Sequence, residues 1–143
     1  MKIQQLSLFI ENKAGSLNTV CKTLTENKIN LRALSLADTE QFGILRIIVQ
    51  DWEKAKKLLE SAGFVVTVTE VFALKVDDRH GGLGKMLEIL DQAHINVEYM
   101  YAFTYGSQDK AIIVFRFESP DAAIEALAKH QINIAQGIDF FGV

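Results

Sequence analysis

Residues 11–17 read Glu11-Asn12-Lys13-Ala14-Gly15-Ser16-Leu17, and residues 77–83 read Asp77-Asp78-Arg79-His80-Gly81-Gly82-Leu83. Each stretch is a polar turn containing glycine that opens an apolar-periodic segment. Leu17, Val20, Cys21 and Leu24 follow the first; Leu83, Met86, Leu87 and Leu90 follow the second. Ile29-Asn30 and Ile95-Asn96 then recur at the same distance, so the chain repeats itself at an offset of 66 positions. With two further residues admitted after Phe103, Leu45, Ile47, Val49 and Leu59 fall on Ile113, Phe115, Phe117 and Leu127. One small unit has been used twice, and the junction between copies is a natural place for a ligand.

Periodicity supplies the elements of each copy. In the first, Ile3 to Ile10 alternates as a strand, Asn12 to Gly15 is a turn, and helical spacing runs from Ser16 to Asn27. Leu31 to Ala37 and Phe42 to Val49 are strands joined by a hairpin at Asp38 to Gln41. Asp51 is suited to cap a helix carrying Ala55, Leu58, Leu59 and Ala62; Gly63 ends it, and Phe64 to Thr69 is a fourth strand. The second copy predicts strands at Val71 to Val76, Asn96 to Tyr105, Ala111 to Phe117 and Ile132 to Ala135. Its helices follow the Asp77 to Gly82 turn and Ser119-Pro120, where serine caps and proline suits the first helical position, with the second running to Lys129.

Each copy is thus strand-helix-strand-strand-helix-strand. Right-handed crossovers fold that order into an α+β, ferredoxin-like unit: a four-stranded antiparallel sheet with both helices on one face. The expected domains are residues 1–70 and 71–143, with no linker, because Glu70 leads directly into Val71. Units of this size bury a smaller fraction of their surface than larger domains do, so each should lean on its sister or on a second chain. The third strands point the same way. With Leu45, Ile47 and Val49 under the helices, the other face shows Ile44, Arg46 and Ile48, and in the second copy Ile112, Val114 and Arg116. A sheet face meant for water alternates more cleanly, so part of it is expected to be covered, and a homodimer is expected.

Composition narrows the function. The net charge of −3 argues against a nucleic-acid binder, and the third strands lack an aromatic stacking platform. No apolar run approaches the roughly 18 residues of a membrane span. The amino terminus has no signal-peptide layout, and one cysteine, Cys21, excludes an intrachain disulfide framework; a cytoplasmic location is the expectation.

The turn, helix and Ile-Asn signature, present twice, resembles the ACT domain, the small-molecule regulatory module attached to many enzymes of amino-acid metabolism. The resemblance covers essentially the whole chain and leaves nothing over for a catalytic domain, so the expectation is a stand-alone, non-enzymatic tandem pair without cofactor or metal. It implies a free amino acid bound at the interface between ACT units, with an enzyme of amino-acid metabolism as partner. By resemblance the first-copy contacts fall on Asn12, Lys13, Ala14, Gly15, Ser16 and Leu17, and the second-copy contacts on Asp78, Arg79, His80, Gly81, Gly82 and Leu83. On the second strands they fall on Ser35, Leu36 and Ala37, and on Met100, Tyr101 and Ala102. Backbone N–H groups at a helix start suit a carboxylate, and glycine allows close approach. Many family members have proline before the motif glycine; Ala14 and His80 stand there instead, so both turns should be less rigid. Asp78 would repel a carboxylate, which makes the Asn12 to Leu17 loop the better cradle, completed by second-copy residues.

Other residues read more plainly. Cys21 is a core thiol on the apolar helix face, and His80, His94 and His130 are not spaced as a metal cluster. Tyr99, Tyr101 and Tyr105 alternate on one strand and suit packing as well as a pocket. Asp77-Asp78 reads as a solvated turn, and Gly81-Gly82 lacks the lysine and hydroxyl pattern of a phosphate loop. The competing function is an interaction subunit without a ligand, acting on a partner enzyme through the apolar sheet face.

Overall fold

The computed structural model describes residues 2–103 and 110–132. In chain order the elements are β1 (Lys2–Glu11), α1 (Ser16–Glu26), β2 (Leu31–Thr39), β3 (Phe42–Val49), α2 (Trp52–Ser61), β4 (Val65–Asp77), α3 (Gly82–Gln92), β5 (Val97–Phe103), β6 (Lys110–Phe117) and α4 (Pro120–Lys129). Gln4–Glu70 is one compact unit; Val71–Val143, with Met1–Ile3, is the other. None of the described helices is long and apolar enough to cross a membrane.

The first unit orders its strands β2-β3-β1-β4, and the second orders its own β4-β6-β5. Leu8 of β1 and Leu36 of β2 both stand opposite Leu45; in the second unit Leu74 and Ala102 both stand opposite Ile113. One expectation is corrected. Phe64–Thr69 and Val71–Val76 are not two strands; residues 65–77 run as one. Nothing between them interrupts an extended chain, since Glu70 is neither a glycine nor a proline. The expected last strand reaches beyond Ile132, outside the described residues, as does Tyr105.

Each helix buries two residues one turn apart: Val20 and Leu24, Ala55 and Leu59, Met86 and Leu90, Ala123 and Leu127. Positions four apart face the sheet together. They meet Leu6, Leu8, Leu45 and Ile47 in the first unit, and Phe72, Leu74, Ile113 and Phe115 in the second. Full burial of one such side chain contributes about 1.5–3 kcal/mol, so these clusters carry most of each unit's stability. Cys21 sits on the shoulder of this face, half-buried rather than in the core, and Leu87 at the equivalent place is exposed.

All four described helices end in the same way. The N–H groups of Ile29, Phe64, Ile95 and Ile132 donate to the carbonyls of Leu24, Leu59, Leu90 and Leu127 at 2.9–3.2 Å. The residue before each, Lys28, Gly63, His94 and Gln131, takes a positive φ. This is the Schellman ending, closed by an apolar residue against the last buried turn. It explains the isoleucine of the repeated Ile-Asn pair: Ile29 and Ile95 each pack on their unit's core. At the other ends, Asp51 accepts from the Lys54 N–H at 3.3 Å and caps α2 as expected. Ser119 precedes α4, with Pro120 in the first turn, yet its side chain makes no capping bond.

The edge strands hold a feature absent from the periodicity. Each has a bulge near its start, between Leu31 and Ala33 and between Val97 and Tyr99. One extra residue turns the alternation over. Ser35 and Ala37 therefore share a face with Ile44 and Arg46, and Tyr99 and Tyr101 with Arg116 and Val114. Leu34, Leu36 and Met100 take the helix side yet remain exposed at the sheet edge. The face away from the helices is not left to water either: Ile48, Ile112 and Val114 are buried.

Candidate functional site

Both units open a cavity at the same place, where the first strand ends, the first helix begins and the second helix turns into the next strand. In the first unit the walls include Phe9 and Glu11 from β1, then Lys13, Ala14, Gly15, Ser16 and Thr19 from the turn and α1. Gly63 and Phe64, the Schellman ending of α2, close it to about 440 Å³. In the second unit Lys75 and Asp77 take the places of Phe9 and Glu11, and Gly82 and Lys85 those of Ser16 and Thr19. Gln131 and Ile132 close that cavity, of about 240 Å³, and Lys110 adds a further wall.

The turns that build these cavities depend on glycine. Gly15 and Gly81 hold φ of 92° and 81°, a left-handed conformation that a Cβ opposes. Their carbonyls accept the Thr19 and Lys85 N–H groups at 3.0 Å, which starts each helix. The Ser16 and Gly82 N–H groups donate to the Lys13 and Arg79 carbonyls at 3.3 and 3.0 Å, and neither helix start receives a side-chain cap for the N–H groups that follow. The Asn12 amide donates to the Glu40 carbonyl at 3.0 Å and its N–H to the Gln41 carbonyl at 2.9 Å. That side chain therefore ties the turn to the β2–β3 hairpin.

Electrostatics separate the two cavities. Glu11 and Lys13 form an ion pair at 2.6 Å, one charge of each sign. In the second unit Asp77 is paired with Lys110, and with Arg79 at 2.8 Å. The hydrogen bond from Lys110 holds the Asp77 carboxyl below the usual carboxylate range; partial desolvation opposes it, and the Lys110 and Arg79 charges reinforce it.

The family model for the ACT domain pair matches residues 1–140. The chain belongs to this ACT domain pair family. Protein BT0572 from Bacteroides thetaiotaomicron is 36% identical, with 100% of this chain and 98% of that one covered and a TM-score of 0.92. The ligand-free regulatory subunit of aspartate kinase from Thermus thermophilus shares the ACT fold at 16% identity, with 88% and 91% covered and a TM-score of 0.63. The same subunit from Thermus flavus has 16% identity, 88% and 90% coverage and a TM-score of 0.62. No match is found among curated proteins.

The contacts expected from the ACT resemblance are distributed unevenly. Lys13, Ala14, Gly15 and Ser16 line the first cavity; Asn12 and Leu17 flank it. Of the six contacts expected at the second-copy turn and helix start, Gly82 lines its cavity, while Asp78, Arg79, His80, Gly81 and Leu83 stand outside. Ser35, Leu36 and Ala37 lie on edge strand β2, and Met100, Tyr101 and Ala102 on edge strand β5; none of them lines its own unit's cavity. The motif reading does not name Thr19, Gly63, Phe64, Lys75, Lys85 or Lys110, which also line the cavities. Thr19 and Lys85 were within reach, one turn into each helix. Gly63 and Lys110 come from distant elements, and nothing local places either at a cavity. Among the described residues no group of three or more His, Cys, Asp or Glu is placed to hold a metal.

Proposed function

We propose that this ACT pair is a non-catalytic sensor of a free amino acid, and that the first unit's cavity is its principal site. The observation that carries the reading is the Glu11–Lys13 pair beside the uncapped start of α1. A zwitterion needs one acceptor-rich and one donor-rich region a short distance apart. The ligand ammonium is set against Glu11, and its carboxylate against Lys13 and the first-turn N–H groups of α1. Gly15 lets that backbone approach without a side chain in the way. Phe9 and Phe64 supply apolar wall for the ligand side chain.

Binding would regulate an enzyme of amino-acid metabolism in the cytoplasm by favouring one conformation of the pair over another, to the extent of the ligand's differential affinity for the two. We assign the working form as a homodimer, because Phe9 and Phe42 stay 54% and 49% exposed on one sheet face. The same two residues support the alternative, an interaction subunit without a ligand that uses this face on its partner. Thermal unfolding against the common amino acids at millimolar concentration separates the two. Ligand at about 100 times its dissociation constant adds about 2.7 kcal/mol of stability, a shift of several degrees. A shift with one or two amino acids supports the sensor; no shift with any supports the interaction subunit.

A further inference from the structure

We propose that Asn12 is a positioning residue of the amino-acid site: its side chain anchors the Glu11–Lys13 pair to the β2–β3 hairpin and does not itself hold the ligand. The proposal rests on the amino-acid reading of the first cavity. It gives Asn12 a different role from the ligand contact that the family resemblance implies.

Asn12 stands between the two charged groups of that site. The Lys13 N–H donates to the Glu11 carbonyl at 2.9 Å, which makes Asn12 the apex of a three-residue turn. Glu11 and Lys13 line the cavity on either side of the apex, whereas Asn12 does not line it. Its backbone N–H and its side-chain amide go to the hairpin instead, to the Gln41 carbonyl at 2.9 Å and the Glu40 carbonyl at 3.0 Å. Two consecutive carbonyls thus accept from one residue, which fixes its main chain and its side-chain direction together. The hairpin is shaped to present them. Glu40 takes a left-handed φ of 50°, uncommon outside glycine, and Thr39 Oγ1 donates to the Phe42 carbonyl at 3.0 Å across the turn.

The ion pair alone would not set this geometry. Both side chains of the Glu11–Lys13 pair are mostly exposed, and an exposed pair holds its partners weakly. Hairpin carbonyls have no rotamers to lose, so bonds to them hold the turn more firmly. The second copy has Asp78 at the matching position, a side chain with no amide to donate, so the same bond cannot form there. The tether therefore belongs to the unit assigned the amino-acid site.

The test compares the wild-type chain with Asn12→Ala, Thr39→Val and the double variant. Asn12→Ala removes the amide and keeps the backbone N–H. Thr39→Val loosens the hairpin from a position outside the cavity lining. Both residues are exposed, so neither substitution threatens the fold. Without ligand, hydrogen exchange by NMR should be about threefold to tenfold faster in Asn12→Ala at the N–H groups of residue 12, Ser16 and Thr19, as expected for one lost hydrogen bond. The Phe64 N–H, across the cavity, should be unchanged. Titration with the amino acids that shift wild-type unfolding should show weaker binding in each single variant, with the order of preference among amino acids kept. The double variant should bind no more weakly than Asn12→Ala, because Thr39 acts on the site only through Asn12. Lost affinity in Asn12→Ala with unchanged exchange at Ser16 and Thr19 would overturn the proposal and return Asn12 to ligand contact. Additive losses in the double variant, or wild-type affinity in Asn12→Ala, would overturn it as well. A wild-type chain that responds to no amino acid would overturn the amino-acid reading, and the positioning role with it, whatever the exchange rates show.

Discussion

Gly82 and Asp77 lie so close that a Cβ on Gly82 would overlap the Asp77 carbonyl oxygen and come within 3.0 Å of its carbonyl carbon. The end of β4 and the start of α3 are pressed together at the mouth of a cavity, and backbone atoms cannot step aside as a flexible side chain would. Gly84, two residues on, meets nothing within 4 Å. The same substitution should therefore have opposite signs at the two places. Gly82→Ala should cost about 1–3 kcal/mol by overpacking. Gly84→Ala should stabilise by about 0.5–1 kcal/mol, since alanine is the better helix former. Urea unfolding of both variants checks this; equal signs would remove the close approach as a determinant.

Gly15 poses a different problem. Nothing lies near its missing Cβ, yet its φ of 92° is unfavourable for any side chain. Gly15→Val should strain the turn by about 1–3 kcal/mol and shift the helix start away from its ligand-binding geometry. The protein should remain folded by circular dichroism and lose the amino-acid-induced thermal shift. Gly15→Asn, which tolerates the left-handed region, should keep more of it. A normal shift in Gly15→Val would move the amino-acid site elsewhere.

Asp77 gives a pH prediction. Its folded pKa is depressed, chiefly by the Lys110 hydrogen bond, with the Lys110 and Arg79 charges adding to it. The unfolded carboxyl titrates near 3.9. The stabilisation is therefore complete about a unit above that value, from about pH 5, and is lost as pH falls through the lower folded value. Lys110→Met should remove most of that increment. The urea midpoints of wild type and variant should differ more at neutral pH than under strong acid. A constant difference across that range would show that the pair is not the source.

Three of the four Schellman endings place a residue other than glycine in the left-handed region: Lys28, His94 and Gln131 at φ of 56–57°. Gly63 alone has the residue that the motif favours. Lys28→Gly and His94→Gly should each stabilise by about 1 kcal/mol, the left-handed penalty less the entropy that glycine loses on folding. Thermal unfolding at fixed pH would show midpoints raised by several degrees; a fall in both would mean that their side chains contribute more than the backbone strain costs.

Phe9 and Phe42 share a face, because Phe9 stands opposite Ile44 and Phe42 opposite Glu11 in alternating register. If this face joins two copies, Phe9→Ser with Phe42→Ser should give a folded monomer. Light scattering at high concentration should report two chains for wild type and one for the variant. A wild-type monomer would refute the dimer.

Much of this architecture was legible along the chain. The Gly15 and Gly81 turns, the Asp51 cap and the Gly63 helix end were all readable, since each is a contest among a few neighbouring dihedrals and hydrogen bonds. The core pairs Val20–Leu24 and Met86–Leu90 were equally plain, because helical periodicity is a property of one segment. The strand bulges after Leu31 and Val97 were not: a bulge is a mismatch between two strands, and neither strand carries it alone.

The sequence by itself determined that one βαββαβ plan is used twice and that its turn glycines sit at helix starts, because periodicity and left-handed turns are written in local chemistry. Only the tertiary structure decided that Lys75, Lys85 and Lys110 share a cavity while Ser35 and Tyr101 line neither this cavity nor its first-unit counterpart. Convergence of side chains from three elements depends on strand register and helix placement, which long-range packing sets.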